Sequence, residues 1–271
     1  MFMEDNMSIL VDKFGSYICY DENDTKKLLY LDEKFKKIAF SFGAVEYHIP
    51  AMINHEILEK CGYFDTFPQH ITVACHADKT KISHVIKNNI IDNQNSKISN
   101  NYFTPAACLH IYPMIENTKI DEKVITTKAR VYRYENEDFD GETRLWDFTV
   151  REIVFIGNKK FVNECLQKTK EKVWEIASKL NLPIEINRSY DMFFNSKKNI
   201  IRQKIQYSNS QKFELNINVN GKKIALASFN YHDTHFSKIF NFDDKENIVT
   251  GCVGFGLERW VYALNEYKIK I

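Results

Sequence analysis

Apolar positions recur along the chain with two periods, and the places where one gives way to the other mark its elements. Phe161, Cys165, Leu166, Thr169, Val173, Ile176, Ala177 and Leu180 form one stripe at helical spacing. They predict an amphipathic helix over 161–180 that Pro183 closes. Phe213, Leu215, Ile217 and Val219 alternate with polar residues, as a half-buried strand does. Asn220-Gly221 then turns the chain into a second strand over Ile224–Phe229, which predicts a hairpin with a two-residue loop. Val124–Tyr134 and Phe148–Ile156 read as two more strands, separated by a polar stretch that carries the turn pair Asp140-Gly141. Met52, Ile53, Ile57 and Leu58 suggest a helix over Pro50–Gly62, and Leu257–Tyr267 a last one. The segment Ile86–Asn101 is crowded with Asn, Lys and Ser, and its second half reads as a surface loop. Hairpin-paired strands with helices set among them predict an α+β fold around a mostly antiparallel sheet.

Composition narrows the class. The 271 residues are 44% hydrophobic and 14% aromatic, enough for a sizeable core in one large domain or two small ones. The formal net charge is +1, which argues against a protein whose main task is gripping a polyanion such as tRNA. No run approaches about 18 apolar residues, so no membrane helix is expected. The amino terminus shows no basic segment followed by an apolar run, so no signal peptide is expected either. Cysteines at 19, 61, 75, 108, 165 and 252 form no CxxC pair and read as reduced thiols of a cytoplasmic protein.

Three segments hold residues suited to chemistry. Arg133 and Glu135, two apart on a strand, share a face, and Arg144 and Phe148 follow a polar loop. Arginine forks bind phosphate oxygens, a carboxylate accepts from an adenine amino group, and a phenyl ring stacks on a base. A charged hairpin with one face in water accounts for the same residues. Gly251-Cys252-Val253-Gly254-Phe255-Gly256-Leu257-Glu258-Arg259 opens the last helix. Its glycines leave room for a ligand, and Arg259 stands in the first helical turn, where a cation opposes the helix dipole and needs a partner. A tight turn with a surface arginine is the alternative. The helix around Pro50, with Gly62-Tyr63-Phe64-Asp65-Thr66-Phe67-Pro68 behind it, reads as core packing or as a subunit interface.

In this order and spacing the three segments resemble motifs 1, 2 and 3 of the class II aminoacyl-tRNA synthetases, over about Glu46 to Ala263. The resemblance implies residues 1–45 as an N-terminal segment and 46–271 as the catalytic domain. It also implies a homodimer through motif 1 and a bent ATP. Arg133 would then contact the α-phosphate and the substrate carboxylate, Glu135 and Phe148 the adenine, and Arg144 and Arg259 the outer phosphates or the ring.

Thr104-Pro105-Ala106-Ala107-Cys108, Arg151-Glu152, Ala227-Ser228-Phe229-Asn230-Tyr231-His232 and Cys252 through Arg259 narrow the match. With them the chain resembles the amino acid:[carrier protein] ligases, relatives of the zinc-dependent seryl-tRNA synthetases of methanogenic archaea that lack a tRNA-binding domain. The resemblance implies zinc on Cys108, Glu152 and Cys252, holding the substrate's α-amino group, with Ala107, Asn230 and Arg133 around the substrate. It implies magnesium with ATP, for which Glu214 is the candidate ligand. The acceptor would be a phosphopantetheinylated carrier protein, with no tRNA and no membrane, and the substrate glycine or alanine. Without the family context, two buried thiols and a salt-bridged glutamate are the better account of these three residues. Cys75-His76 is a spare metal-type pair, and Asp191 stands in a segment where the family has a following proline that this chain lacks. A paralogue that charges tRNA, or a non-catalytic synthetase-like subunit, would share most of these residues.

Overall fold

The computed structural model describes residues 9–11, 18–134 and 140–271. Strands β1 (Ile9–Val11) and β2 (Ile18–Tyr20) pair as a small antiparallel ribbon. Asp21 then caps helix α1 (Glu22–Phe40), accepting the Asp24 N–H at 2.9 Å. After β3 (Val45–Glu46) and β4 (Met52–Asn54) come two short helices, α2 (His55–Lys60) and α3 (Tyr63–Thr66). Strand β5 (Val73–Ala77), helix α4 (Ile82–Asn88) and strand β6 (Ser96–Phe103) follow. Two 3₁₀ turns, Ala107–His110 and Tyr112–Ile115, lead into the long strands β7 (Lys123–Tyr132) and β8 (Asp147–Gly157). The rest is α5 (Lys159–Lys179), β9 (Ile184–Arg188), α6 (Lys197–Ser208), β10 (Lys212–Val219), β11 (Lys222–Asp233), α7 (His235–Ile239), β12 (Val249–Gly256) and α8 (Leu257–Glu266).

Seven strands form the main sheet in the order β3-β7-β8-β12-β11-β10-β9, antiparallel throughout except for β3 beside β7. Alternation divides its side chains between two cores. Ile153, Phe155, Val253, Phe255, Leu215 and Ile217 meet α1, α5 and α8 on one face, where Phe35 stacks on Phe255 at 4.1 Å. Val131, Val150, Val154 and Cys252 turn the other way, toward the 3₁₀ turns and α7. The predicted strands and the helices over 161–180 and 257–267 are present, and Asn220 and Gly221 both take positive φ, at 51° and 82°, in the hairpin turn.

Two sequence expectations are corrected. The helix expected from Pro50 begins only at His55, because Met52–Asn54 pair with β6 and the Asn54 side chain caps α2 by accepting the Glu56 N–H at 2.8 Å. The expected surface loop before Asn101 is strand β6, the centre of a three-stranded sheet β4-β6-β5. Ile98 on it is 74% exposed, so the strand carries no apolar alternation to reveal it.

Helix α1 is tied to the sheet by charge as well as by packing. Arg151 on β8 is 1% exposed, and its guanidinium donates to Asp32 at 2.7 Å and to Glu46 at 2.8 Å. Asp32→Ala leaves a buried guanidinium half-compensated and is expected to destabilise the fold by about 3–5 kcal/mol, read from urea unfolding. A loss under about 1 kcal/mol would show that Glu46 alone suffices.

Candidate functional site

Register explains how distant residues meet. Lys212 on β10 faces Asn230 on β11, which faces Cys252 on β12, which faces Val154 on β8. One pair further along, Glu214, Ser228, Gly254, Glu152 and Thr127 form the next row. Residues two apart on a strand share a face, so both rows look out of the same side of the sheet. That side is the floor of a cavity of about 540 Å³.

Cys108 reaches this floor from the first 3₁₀ turn, where its N–H donates to Glu152 Oε2 at 3.0 Å. The ligand-type atoms of Cys108, Glu152 and Cys252 lie within 4.8 Å of one another, and all three residues are buried. This surrounding suits none of them as an anion. The hydrogen bond with Cys252, then burial and the Glu152 charge, push the Cys108 thiol well up. Burial pushes Glu152 up against its hydrogen bonds to both cysteines. Cys252 is drawn down by its bond with Cys108, but burial and Glu152 raise it further. Three acidic groups crowded together, each disfavoured as an anion, form a donor set that a divalent cation turns into ligands. Sulfur, sulfur and carboxylate oxygen suit zinc with one position left for a further ligand.

Asn230 completes the fit. Its Nδ2 donates to Ser228 Oγ at 2.9 Å and approaches Cys252 Sγ at 3.5 Å, which uses both amide hydrogens. Its Oδ1 is buried and accepts nothing among the described residues. A ligand N–H or O–H would satisfy it. Ala107 lines the same cavity. His232, beyond Asn230, is pushed down to about 3 by burial and then by the His235 charge, so it is neutral.

A second set lies next to the first. Arg133, just past the end of β7, donates through Nε to Pro105 O at 2.9 Å, and its guanidinium carbon lies 5.6 Å from the centre of the Phe148 ring. Asp140 accepts the N–H groups of Glu142, Thr143 and Arg144 and is held below the usual carboxylate range; burial raises it, and the ion pair with Lys222 and these bonds lower it further. The loop so fastened presents Arg144. Arg259 Nε donates to Thr143 O at 2.6 Å and its Nη1 to Ala225 O at 3.1 Å, which is the partner its place in the first turn of α8 demands. Arg133, Arg144, Phe148, Glu214, Gly254, Gly256 and Arg259 line one cavity. A Cβ built on Gly254 meets nothing within 4 Å, so this glycine leaves open space over the floor. Glu135 lies outside the described residues. Cys75 and His76 are exposed on β5 and join no metal-type group among the described residues.

Sequence reasoning missed Lys212. Among the described residues, only Arg133 and Lys212 line the two cavities and also the wide groove of about 1080 Å³ outside them. Lys212 is 8% exposed, pairs with Asp191 at 2.7 Å and lies 3.6 Å from Glu214. Burial lowers it, but the Asp191 and Glu214 charges raise it more, so it stays charged. Asp191 is likewise fixed, with Gln206 Nε2 donating to it at 2.7 Å. The site therefore places two cations where a metal-type group and an arginine-rich cavity meet.

No family model matches the chain. It is similar to solved structures, among them the complex of M. kandleri SerRS with A. aeolicus tRNASec. That likeness has a TM-score of 0.83 and 18% identity, and covers 97% of this chain and 56% of the other. This is a class II synthetase catalytic fold. Among curated proteins the chain is similar to the type-2 serine–tRNA ligase of Methanocaldococcus jannaschii, 28% identical over 254 residues, 86% of this chain and 48% of the relative. It is also similar to amino acid–[acyl-carrier-protein] ligase 1 of Bradyrhizobium diazoefficiens, 26% identical over 234 residues, 82% of this chain and 71% of the relative. The chain thus spans about half the length of the serine–tRNA ligases it matches and a larger share of the carrier-protein ligase. Among the described residues of the class II fold, no helix is long and apolar enough to cross a membrane.

Proposed function

We propose that this chain activates a small amino acid, glycine or alanine first, as its adenylate and transfers it to the phosphopantetheine thiol of a carrier protein. The observation that carries the reading is the junction at Arg133 and Lys212. A cavity floored by Cys108, Glu152 and Cys252 meets there a second cavity lined by Arg144, Arg259 and Phe148. An amino acid in the first and ATP in the second would bring carboxylate and α-phosphorus together between the two cations.

Cys108, Glu152 and Cys252 would hold zinc, which when bound keeps the substrate amine unprotonated and in place. Asn230 Oδ1 accepts one of the amine hydrogens, and Ala107 bounds the side chain. Arg133 and Lys212 hold the carboxylate and the α-phosphate and offset the charge that gathers on the phosphoryl oxygens as the carboxylate oxygen attacks phosphorus and pyrophosphate leaves. The carboxylate is already ionised, so this step needs no base. Phe148 stacks on adenine and Glu135 accepts from its amino group, while Arg144 and Arg259 hold the outer phosphates. Glu214 faces this arginine cluster and is the candidate magnesium ligand. In the second step the pantetheine sulfur attacks the activated carbonyl, AMP leaves, and the thiol proton goes to water. The cavity runs on past the metal group to Tyr63, Phe67 and Phe236, beyond what a small amino acid fills, and α6 borders it through Arg202, Ile205 and Gln206. A long, thin acceptor arm suits that shape.

The carrier-protein ligase among the relatives supports the acceptor. The serine–tRNA ligases favour a second reading, transfer to tRNA. Incubation with ATP, zinc and radiolabelled amino acid, offering a phosphopantetheinylated carrier protein or total tRNA, separates the two. Label on the carrier alone is expected, and label on tRNA alone would refute the carrier reading.

The homodimer belongs to the same proposal. Ile82, Ile86, Ile90, Ile91 and Ile98 are between 46% and 75% exposed on α4, β6 and the turn between them, apolar side chains that a second copy would cover. Light scattering should give twice the 32.0 kDa chain mass; a monomer mass at micromolar concentration would contradict it.

A further inference from the structure

His232 follows Asn230 on β11, at the point where pairing with β12 slips between Tyr231 and Asp233. Its ring lines the cavity beside the three clustered residues. Two hydroxyls face Nδ1, Thr250 Oγ1 at 3.1 Å and Tyr112 Oη at 3.4 Å. A neutral imidazole has one nitrogen of each kind, and either hydroxyl can donate to Nδ1 or accept from it, so the sulfur decides: a thiolate repels a lone pair on Nε2 and favours the ring hydrogen there, which leaves Nδ1 to accept from the hydroxyls. The ring hydrogen then sits on Nε2, and Nε2 lies 3.7 Å from Cys252 Sγ. Packing fixes the ring in this orientation, edge-on to Phe236 at 5.0 Å, with Phe236 stacked on Tyr112 at 4.0 Å. His232 is outside the group whose ligand atoms all lie within 4.8 Å of one another. It therefore approaches one sulfur rather than the centre of the group. Asn230 Nδ2 approaches the same sulfur at 3.5 Å.

We propose that His232 is a positioning residue for the metal group, donating its Nε2–H to the Cys252 thiolate alongside the Asn230 amide. Both donors draw charge from that sulfur. A thiolate so relieved gives less electron density to a bound cation, which stays a stronger acceptor for a substrate amine. Thr250 and Tyr112 support that tautomer by donating to Nδ1. This rests on the reading of Cys108, Glu152 and Cys252 as a metal site.

The test uses the full chain loaded with Co(II) and follows the thiolate-to-cobalt charge-transfer band in the near ultraviolet. His232→Phe should keep one cobalt per chain and move the band to lower energy, because the sulfur has lost a donor. His232→Gln, whose amide N–H reaches the place of Nε2–H, should hold the band near its original position. Thr250→Val, which leaves Nδ1 with one hydroxyl, should move it in the same direction as His232→Phe but less, and it tests the idea even if His232→Phe does not fold. An unmoved band in fully loaded His232→Phe or Thr250→Val overturns the proposal. So does a drop in the cobalt d–d intensity of His232→Phe that marks the loss of a nitrogen ligand. Failure of the unmodified chain to take up cobalt would overturn the metal reading itself, a different result from a band that stays in place.

Discussion

Cys252→Ser protein is expected to fold, to purify with far less than one zinc per chain, and to lose amino-acid-dependent activity. A serine hydroxyl does not ionise at neutral pH, so the site keeps one thiolate and one carboxylate, and the cation loses a soft ligand. Loss of outer partners alone costs about 10–100-fold in metal affinity, and loss of a direct ligand should cost at least as much. Folding should survive, since the clusters around Phe35, Phe155 and Phe255 on the other face of the sheet do not touch this residue. Metal content by mass spectrometry and the unfolding midpoint separate the two effects. Full zinc with full activity in this variant would show that the cysteines are only buried thiols.

Arg133→Ala should do the converse: full zinc, a normal unfolding midpoint, and adenylate formation slowed by on the order of 10²–10³-fold, the usual cost of losing one charge-stabilising donor. Lys212→Gln should fall in the same range. Glutamine can still donate to Asp191, so a loss there reports the missing charge rather than a broken network. The two variants also test the junction as a unit. If the cations act on the same charge, the double variant should lose less than the product of the single losses. Near-normal rates in either variant would remove that residue from the reaction centre.

Where local periodicity decided the outcome, the fold could be read ahead of the structure. Helix α5 has a full stripe and a closing proline, and the β10–β11 hairpin has alternation on both arms and an Asn-Gly turn. Helix α1 was not predicted, although it carries a comparable stripe in Leu28, Leu31, Phe35 and Ile38, and Leu31, Phe35 and Ile38 are buried in the same core as α5. Local pattern failed where pairing decided. Met52 and Ile53 fit a helical stripe, but their backbone pairs with β6. The site was legible only in part for a related reason. Cys108, Glu152 and Cys252 are far apart in sequence, and only resemblance picked them out, because the register that aligns β8, β11 and β12 leaves no mark on any one strand. Lys212 and Glu214 occupy the polar phase of an alternating strand, which normally means water. Here that phase looks into the cavity, and nothing in the spacing distinguishes the two cases.

The central claim is that this site makes an aminoacyl-adenylate, and amino-acid-dependent ATP–pyrophosphate exchange on zinc-loaded protein tests it most directly, with glycine, alanine and serine in parallel. The account predicts exchange that requires zinc and one small amino acid. No exchange with any of the three, in protein shown to hold zinc, would contradict it and turn attention to a synthetase-like subunit that binds without catalysing.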